Sequence, residues 1–133
     1  MALKLQRKIR HPLTLPVSTT EIALGCCVKL SSSKLVVTGA NEAFVGITTE
    51  IGYASKDVLL AGVGSIVFCL AHDNAIAENE WLVPAAAGRV DGIAATTTTI
   101  QYTVGIALMA ASAQDQLIPV LVLPGVVVGT QSV

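Results

Sequence analysis

Few side chains in this chain could act in catalysis or bind a metal, and they are scattered. The two histidines are His11 and His72, and only His72 is followed directly by an acid, Asp73. A His–Asp pair could serve as a general base or as metal ligands, although such neighbours are also common in solvated turns. No His, Cys, Asp or Glu cluster shows metal-ligand spacing, and no serine lies in a G-x-S-x-G motif. We therefore expect no catalytic residue, no metal ligand and no cofactor; a hydrolase using His72 is the weakest alternative.

The three cysteines are Cys26, Cys27 and Cys69. Cys26 and Cys27 are neighbours on a predicted strand, so their side chains should point to opposite faces of a sheet. A metal site would need more partners than Cys69 supplies. The pattern indicates buried structural thiols in a reducing compartment.

Lys34 follows Ser31, Ser32 and Ser33 at the tip of a predicted hairpin. Lipoyl and biotinyl carrier domains are duplicated β folds that present a modified lysine at such a tip. Here the lysine lacks the acidic or methionine flanks typical of those families, and the chain is longer and less acidic than such carriers. A small carrier or ligand-binding module with Lys34 at a hairpin tip is therefore the alternative function.

The elements that position these residues come in two similar runs. Residues 21–36 (EIALGCCVKLSSSKLV) lie over residues 75–90 (AIAENEWLVPAAAGRV) without a gap, which makes Ile22/Ile76, Ala23/Ala77 and Val36/Val90 identical pairs. The motif Val45-Gly46-Ile47 recurs as Val104-Gly105-Ile106, and each copy closes with an apolar run. Matched blocks in one order predict an internal duplication, with chance similarity as the alternative because the identities are few.

Short apolar runs separated by Gly, Pro and Ser turns predict an all-β fold, a compact barrel or sandwich. Cys26–Leu30 and Lys34–Val37 should form a hairpin, and Ala107–Ala113 is long enough for one short helical turn. We expect residues 21–133 to form a single β-barrel domain.

Residues 1–20 differ from the rest of the chain and predict an extended basic arm. They hold four of the eight positive charges, and no acid precedes Glu21. Apolar and polar residues alternate, as in an extended segment with one dry face and one wet face. The dry positions are Leu3, Leu5 and Ile9, and the basic residues are Lys4, Arg7, Lys8 and Arg10. Pro12 and Pro16 lack backbone donors, so residues 13–15 should be part of the arm or an edge strand.

The composition indicates a protein that binds other protein chains. Hydrophobic residues make up 53% and charged residues 13% of 133 residues, with a mean hydropathy of +0.70. A domain of this size cannot bury so much apolar surface alone. No apolar stretch is long enough to span a membrane as a helix, and no secretory signal is visible. Four basic residues without interleaved aromatics argue against nucleic acid as the partner.

The second run resembles the capsid decoration, or cement, proteins of tailed bacteriophages. The residues that carry the resemblance are Ala75–Val90, then Tyr102-Thr-Val-Gly-Ile-Ala-Leu, and finally Ile118-Pro-Val-Leu-Val. The likeness covers residues 21–125 loosely and 75–123 best. These motifs are short and consist of common residues, and the basic arm is less typical of the family.

The resemblance implies a compact β-barrel or β-tulip domain that assembles as a homotrimer on the outer capsid surface of the virion. It would bind the major capsid protein where shell subunits meet and stabilise the shell. The arm residues Leu3, Lys4, Leu5, Arg7, Lys8, Ile9 and Arg10 would then contact the capsid or a neighbouring subunit.

Overall fold

The computed structural model describes residues 9–10, 12–73, 75–93 and 100–127, which form ten β-strands. In chain order they are β1 Leu13–Pro16, β2 Cys27–Ser31, β3 Lys34–Val37, β4 Gly46–Thr48, β5 Asp57–Ala61, β6 Ile66–Leu70, β7 Trp81–Pro84, β8 Val90–Gly92, β9 Gln101–Ala107 and β10 Leu117–Val127. The all-β prediction is confirmed.

The strands form two antiparallel sheets with the same topology. The first sheet has the order β1-β5-β4-β2-β3, and the second has the order β6-β10-β9-β7-β8. Each strand of the first sheet therefore has a counterpart, five strands later in the chain, at the same place in the second. We call β1–β5 the first half and β6–β10 the second half.

The pairing registers of the two sheets also correspond, which supports the predicted duplication. Cys27 pairs with Ile47 in the first half, and Trp81 pairs with Ile106 in the second. Leu13 pairs with Leu60, as Val67 pairs with Val120. The alignment without a gap is wrong for β3 and β8, however. Leu30 on β2 pairs with Leu35 on β3, and its counterpart Pro84 on β7 pairs with Val90 on β8.

The counterpart of Val90 is therefore Leu35 rather than Val36. The hairpin between β7 and β8 is one residue longer than the hairpin between β2 and β3, so the sequence match Val36/Val90 does not correspond to a match in register. Leu35 and Val90 are both fully buried.

Each half has its own apolar interior at equivalent positions. In the first half these residues are Val17, Ile22, Val28, Leu35, Val58 and Leu60. In the second half they are Ala71, Ile76, Leu82, Val90, Ile118 and Val120. Burying such side chains is the main driving force for folding, so each half carries the basis of its own core.

A single parallel bridge links the two edges of each sheet. Val17 bridges Leu35 in the first half, and Ala71 bridges Val90 in the second. Neither bridge extends into a ladder within the described residues, so the sheets are not closed into barrels and the domain is sandwich-like.

Helical structure in the described ranges is limited to one 3₁₀ turn, Ala86–Gly88. The expected helical turn at Ala107–Ala113 is wrong, because β9 ends at Ala107 and an irregular loop follows it. No helix in the described ranges is long and apolar enough to cross a membrane.

The predicted edge strand near the N-terminus is confirmed. Leu13–Pro16 forms β1, which pairs only with β5 and lies at the edge of the first sheet. Leu15 packs on the interior of the first half, and Val17 is fully buried within it. The last third of the basic segment is therefore built into the fold.

Candidate interaction surfaces

The described end of the N-terminal arm is attached at the linker between the halves. The N–H of Arg10 donates to Ser65 Oγ (2.8 Å), and that hydroxyl donates to the Arg10 carbonyl (3.0 Å). The N–H of Gly62 donates to the same carbonyl (3.0 Å). Ile9 packs against the larger buried cluster. The arm therefore joins the body where the first half meets the second.

The other predicted arm residues are Leu3, Lys4, Leu5, Arg7 and Lys8, and they lie outside the described residues. Arg10 is exposed, its backbone makes the hydrogen bonds with the linker, and its side-chain Cδ lies close to Gly64 of the linker.

The outer face of the first sheet is covered by the second half. Cys27, Ile47 and Ala61 are register partners in a row across β2, β4 and β5, and all are at most 1% exposed. They belong to one buried cluster whose other members all come from the second half. We call these three residues the covered row.

The equivalent row of the second sheet is apolar and partly exposed. Trp81 pairs with Ile106, Ile106 with Leu121, and Leu121 with Ile66. The indole of Trp81 is 42% exposed, and the other three side chains are partly exposed. We call these four residues the exposed row.

A groove of about 510 Å³ adjoins the exposed row. Its lining residues are Trp81, Ile93, Thr103, Leu123, Pro124, Gly125, Val126 and Val127. Most of the lining residues are apolar, and Val126 is 56% exposed. Exposed apolar surfaces of this kind are typical of interaction surfaces and ligand-binding grooves.

The three cysteines are buried thiols, as predicted, at the junction of the halves. Cys26 packs in the interior of the first half and Cys27 in the larger cluster, which confirms that their side chains point to opposite faces. Burial raises the pKa of Cys26 to about 11 and raises the pKa values of Cys27 and Cys69 further. These thiols therefore stay protonated and are poor nucleophiles at neutral pH.

His72 and Asp73 meet a third group that the sequence did not indicate. One His72 ring nitrogen and one oxygen each from Asp73 and Asp91 lie within 4.8 Å of one another. The backbone N–H of His72 donates to the Val90 carbonyl (2.8 Å), which sets His72 beside Asp91 on β8. Exposed carboxylates often lie together without an ion, so this proximity alone assigns no metal site.

Lys34 lies where the hairpin prediction placed it, directly after the turn residues Ser32 and Ser33 and exposed. Its counterpart in the second half is Arg89, which forms a bidentate contact with Asp115 (Nε to Oδ1 2.6 Å). The Arg89 guanidinium lowers the pKa of the Asp115 carboxyl through this hydrogen bond. Both halves therefore carry a positive charge at this position, and in the second half that charge is paired with Asp115.

No protein-family model matches the chain, and no curated protein sequence matches it. One solved structure with a similar fold is the N base of head fiber gp8.5 in bacteriophage phi29. The TM-score is 0.65 at 11% sequence identity, over 89% of this chain and 95% of that chain. At this identity the likeness concerns the fold alone.

Proposed function

We propose that this chain is a structural protein of a tailed-phage head, which binds the outer capsid surface as a homotrimer and stabilises the shell. The observation that supports this proposal most is the fold similarity to a head fiber base along nearly the whole chain. The apolar exposed row and groove fit a protein whose role is to bind other chains.

The N-terminal arm is the proposed capsid contact. Its attachment at Arg10 joins residues 1–8 to a fixed point on the body. Leu3 and Leu5 would pack on the major capsid protein, while Lys4, Arg7, Lys8 and Arg10 would face its acidic groups. Ile9, which the sequence placed on the same dry face, instead packs against the protein's own buried cluster. Three arms on one trimer raise the overall affinity through effective concentration, so each arm needs only a modest contact.

Cosedimentation with heads that lack this protein tests the proposal. We expect the full chain to bind such heads and a variant lacking residues 1–8 to bind at least tenfold more weakly. The deletion stops before Ile9 because Ile9, Leu15 and Val17 pack in the buried clusters. Circular dichroism should show that the shortened protein keeps its fold.

A variant with a full-length but uncharged arm separates the effect of the arm's charge on head binding from the effect of its length. Replacing Lys4, Arg7 and Lys8 by Gln keeps the arm but removes three charges, and should make binding weaker and less sensitive to salt. Failure of the full chain to bind heads would refute the proposed function. Equal binding by the full chain and the deletion variant would refute only the role of the arm.

A further inference from the structure

We infer that the exposed row of one copy binds the first half of a second copy, so that the chain associates head to tail. This inference deepens the proposed homotrimer and rests on it. The exposed row consists of Ile66, Trp81, Ile106 and Leu121, and the groove beside Trp81 extends the same apolar surface.

The molecule itself contains an example of this contact. The covered row occupies the same register positions in the first sheet as Trp81, Ile106 and Leu121 occupy in the second. The covered row is fully buried by a half with the same topology, whereas the equivalent row is left partly open. A second copy of the chain carries the kind of half that covers such a row.

The first half exposes a matching residue. In the internal contact, the second half contributes Val104 to the cluster that holds the covered row. The counterpart of Val104 in the first half is Val45, which lies two residues before Ile47 and is 42% exposed. This position is buried in one half and open in the other, as expected if a neighbouring copy covers it.

Such a contact joins two different surfaces, so each copy has one donor face and one acceptor face. Repetition of a contact of this type closes into a ring or extends into a filament. Closure after three copies would produce the proposed homotrimer and leave no apolar row open.

Single substitutions on each face test the inference by sedimentation velocity. Trp81→Lys and Val45→Glu should each lower the association constant at least tenfold, because each places a charge in an apolar contact. Tyr53→Lys is the control, since Tyr53 is 58% exposed in the loop that follows β4, away from Val45 at the other end of that strand. The control should associate as the unmodified chain does.

Mixing the two damaged variants gives the sharper result. Trp81→Lys keeps its first-half face, and Val45→Glu keeps its exposed row, so an equimolar mixture should form a heterodimer although neither variant assembles alone. Trp81 is the single tryptophan of the chain. Its emission should therefore shift to shorter wavelength as the unmodified protein is concentrated and the indole is covered.

Three outcomes would overturn the inference. They are a Trp81→Lys protein that assembles normally, a Val45→Glu protein that assembles normally, and a mixture that stays monomeric. An unmodified chain that is monomeric at all concentrations would overturn the inference together with the homotrimer. Loss of head binding with intact self-association would refute the proposed function and leave the head-to-tail contact standing.

Discussion

The two halves share strand order and register but differ in what covers their outer faces. In the first half the row through Cys27 is buried by the second half, and in the second half the row through Trp81 is open. Interiors are alike, with Leu60 matched by Val120 and Val28 by Leu82. The interior residues therefore maintain the topology that the two halves share, whereas the residues on the outer faces determine what each half contacts.

Cys27 begins β2 and Trp81 begins β7, and placing each residue type at the other position should change the free energy of unfolding most. Cys27→Trp forces an indole into a site that is fully buried, and should cost about 4 kcal/mol or more of the free energy of unfolding. Trp81→Cys should cost less, about 1 to 2 kcal/mol, because the Trp81 side chain is only partly buried and no overpacking results. Urea denaturation measures both values, and equal losses would contradict the difference in coverage.

The glycines at equivalent positions of β4 and β9 should respond differently. A Cβ at Gly105 would clash with the backbone carbonyl of Leu121, so Gly105→Ala should cost about 3 kcal/mol. A Cβ at Gly46 meets Leu60 Cβ at 3.0 Å and the Ala61 carbonyl oxygen at 3.2 Å, both fixed to the backbone. These contacts are tight but less severe than the clash at Gly105, so about 2 kcal/mol is expected there. Urea denaturation measures the free energy of unfolding of both variants. A larger loss for the Gly46 variant than for the Gly105 variant would show that the sheets are not packed as described.

Alkaline pH should destabilise the junction between the halves. Burial raises the pKa values of Cys27 and Cys69, so folding holds both thiols protonated while the unfolded chain ionises above about pH 8.5. The stabilisation is complete below that pH and is lost as the pH rises further. We expect a loss of about 2 kcal/mol by pH 9.5.

A variant with both cysteines replaced by alanine is the control for the alkaline effect. Its stability should be lower at pH 7 and should decline less between pH 8 and 9.5. If the decline were the same in both proteins, its cause would lie outside these thiols.

Removing the ion pair between Arg89 and Asp115 in the second half should have the smallest effect on stability. Asp115→Ser introduces the residue found at the equivalent first-half position, Ser55, and removes the partner of Arg89. Because Arg89 lowers the pKa of Asp115, the pair stabilises the fold above the usual carboxyl pKa and loses this effect as the pH falls through the lowered value. Thermal melts should show a larger difference in melting temperature between variant and parent at pH 7 than at pH 3.

Much of the strand layout could be predicted from local patterns. The hairpin Cys27–Ser31/Lys34–Val37 and the strands β5, β6, β7 and β10 follow apolar runs bounded by turn residues. The helical turn expected after Ala107 failed because alanine propensity is a weak signal next to the pairing of β9 with its neighbours. The extra hairpin residue before Val90 was missed because an alignment without gaps shows no register.

The candidate surfaces were less predictable. The apolar excess indicated partners but could not say which face stays open, because coverage of Cys27 depends on how the second half packs. Asp91 was not linked to His72 because a parallel bridge, distant in sequence, brings them together. Of the arm residues named from the sequence, only Ile9 and Arg10 lie in the described part of the chain.

The order of the strands has a consequence for synthesis on the ribosome. All partners of the first sheet lie between Leu13 and Ala61, so this sheet can form before the later strands emerge. Until they emerge, Cys27, Ile47 and Ala61 would face solvent on the nascent chain. The growing polypeptide therefore passes through a stage at which it is prone to aggregate and suited to chaperone binding, and translation of the second half ends that stage.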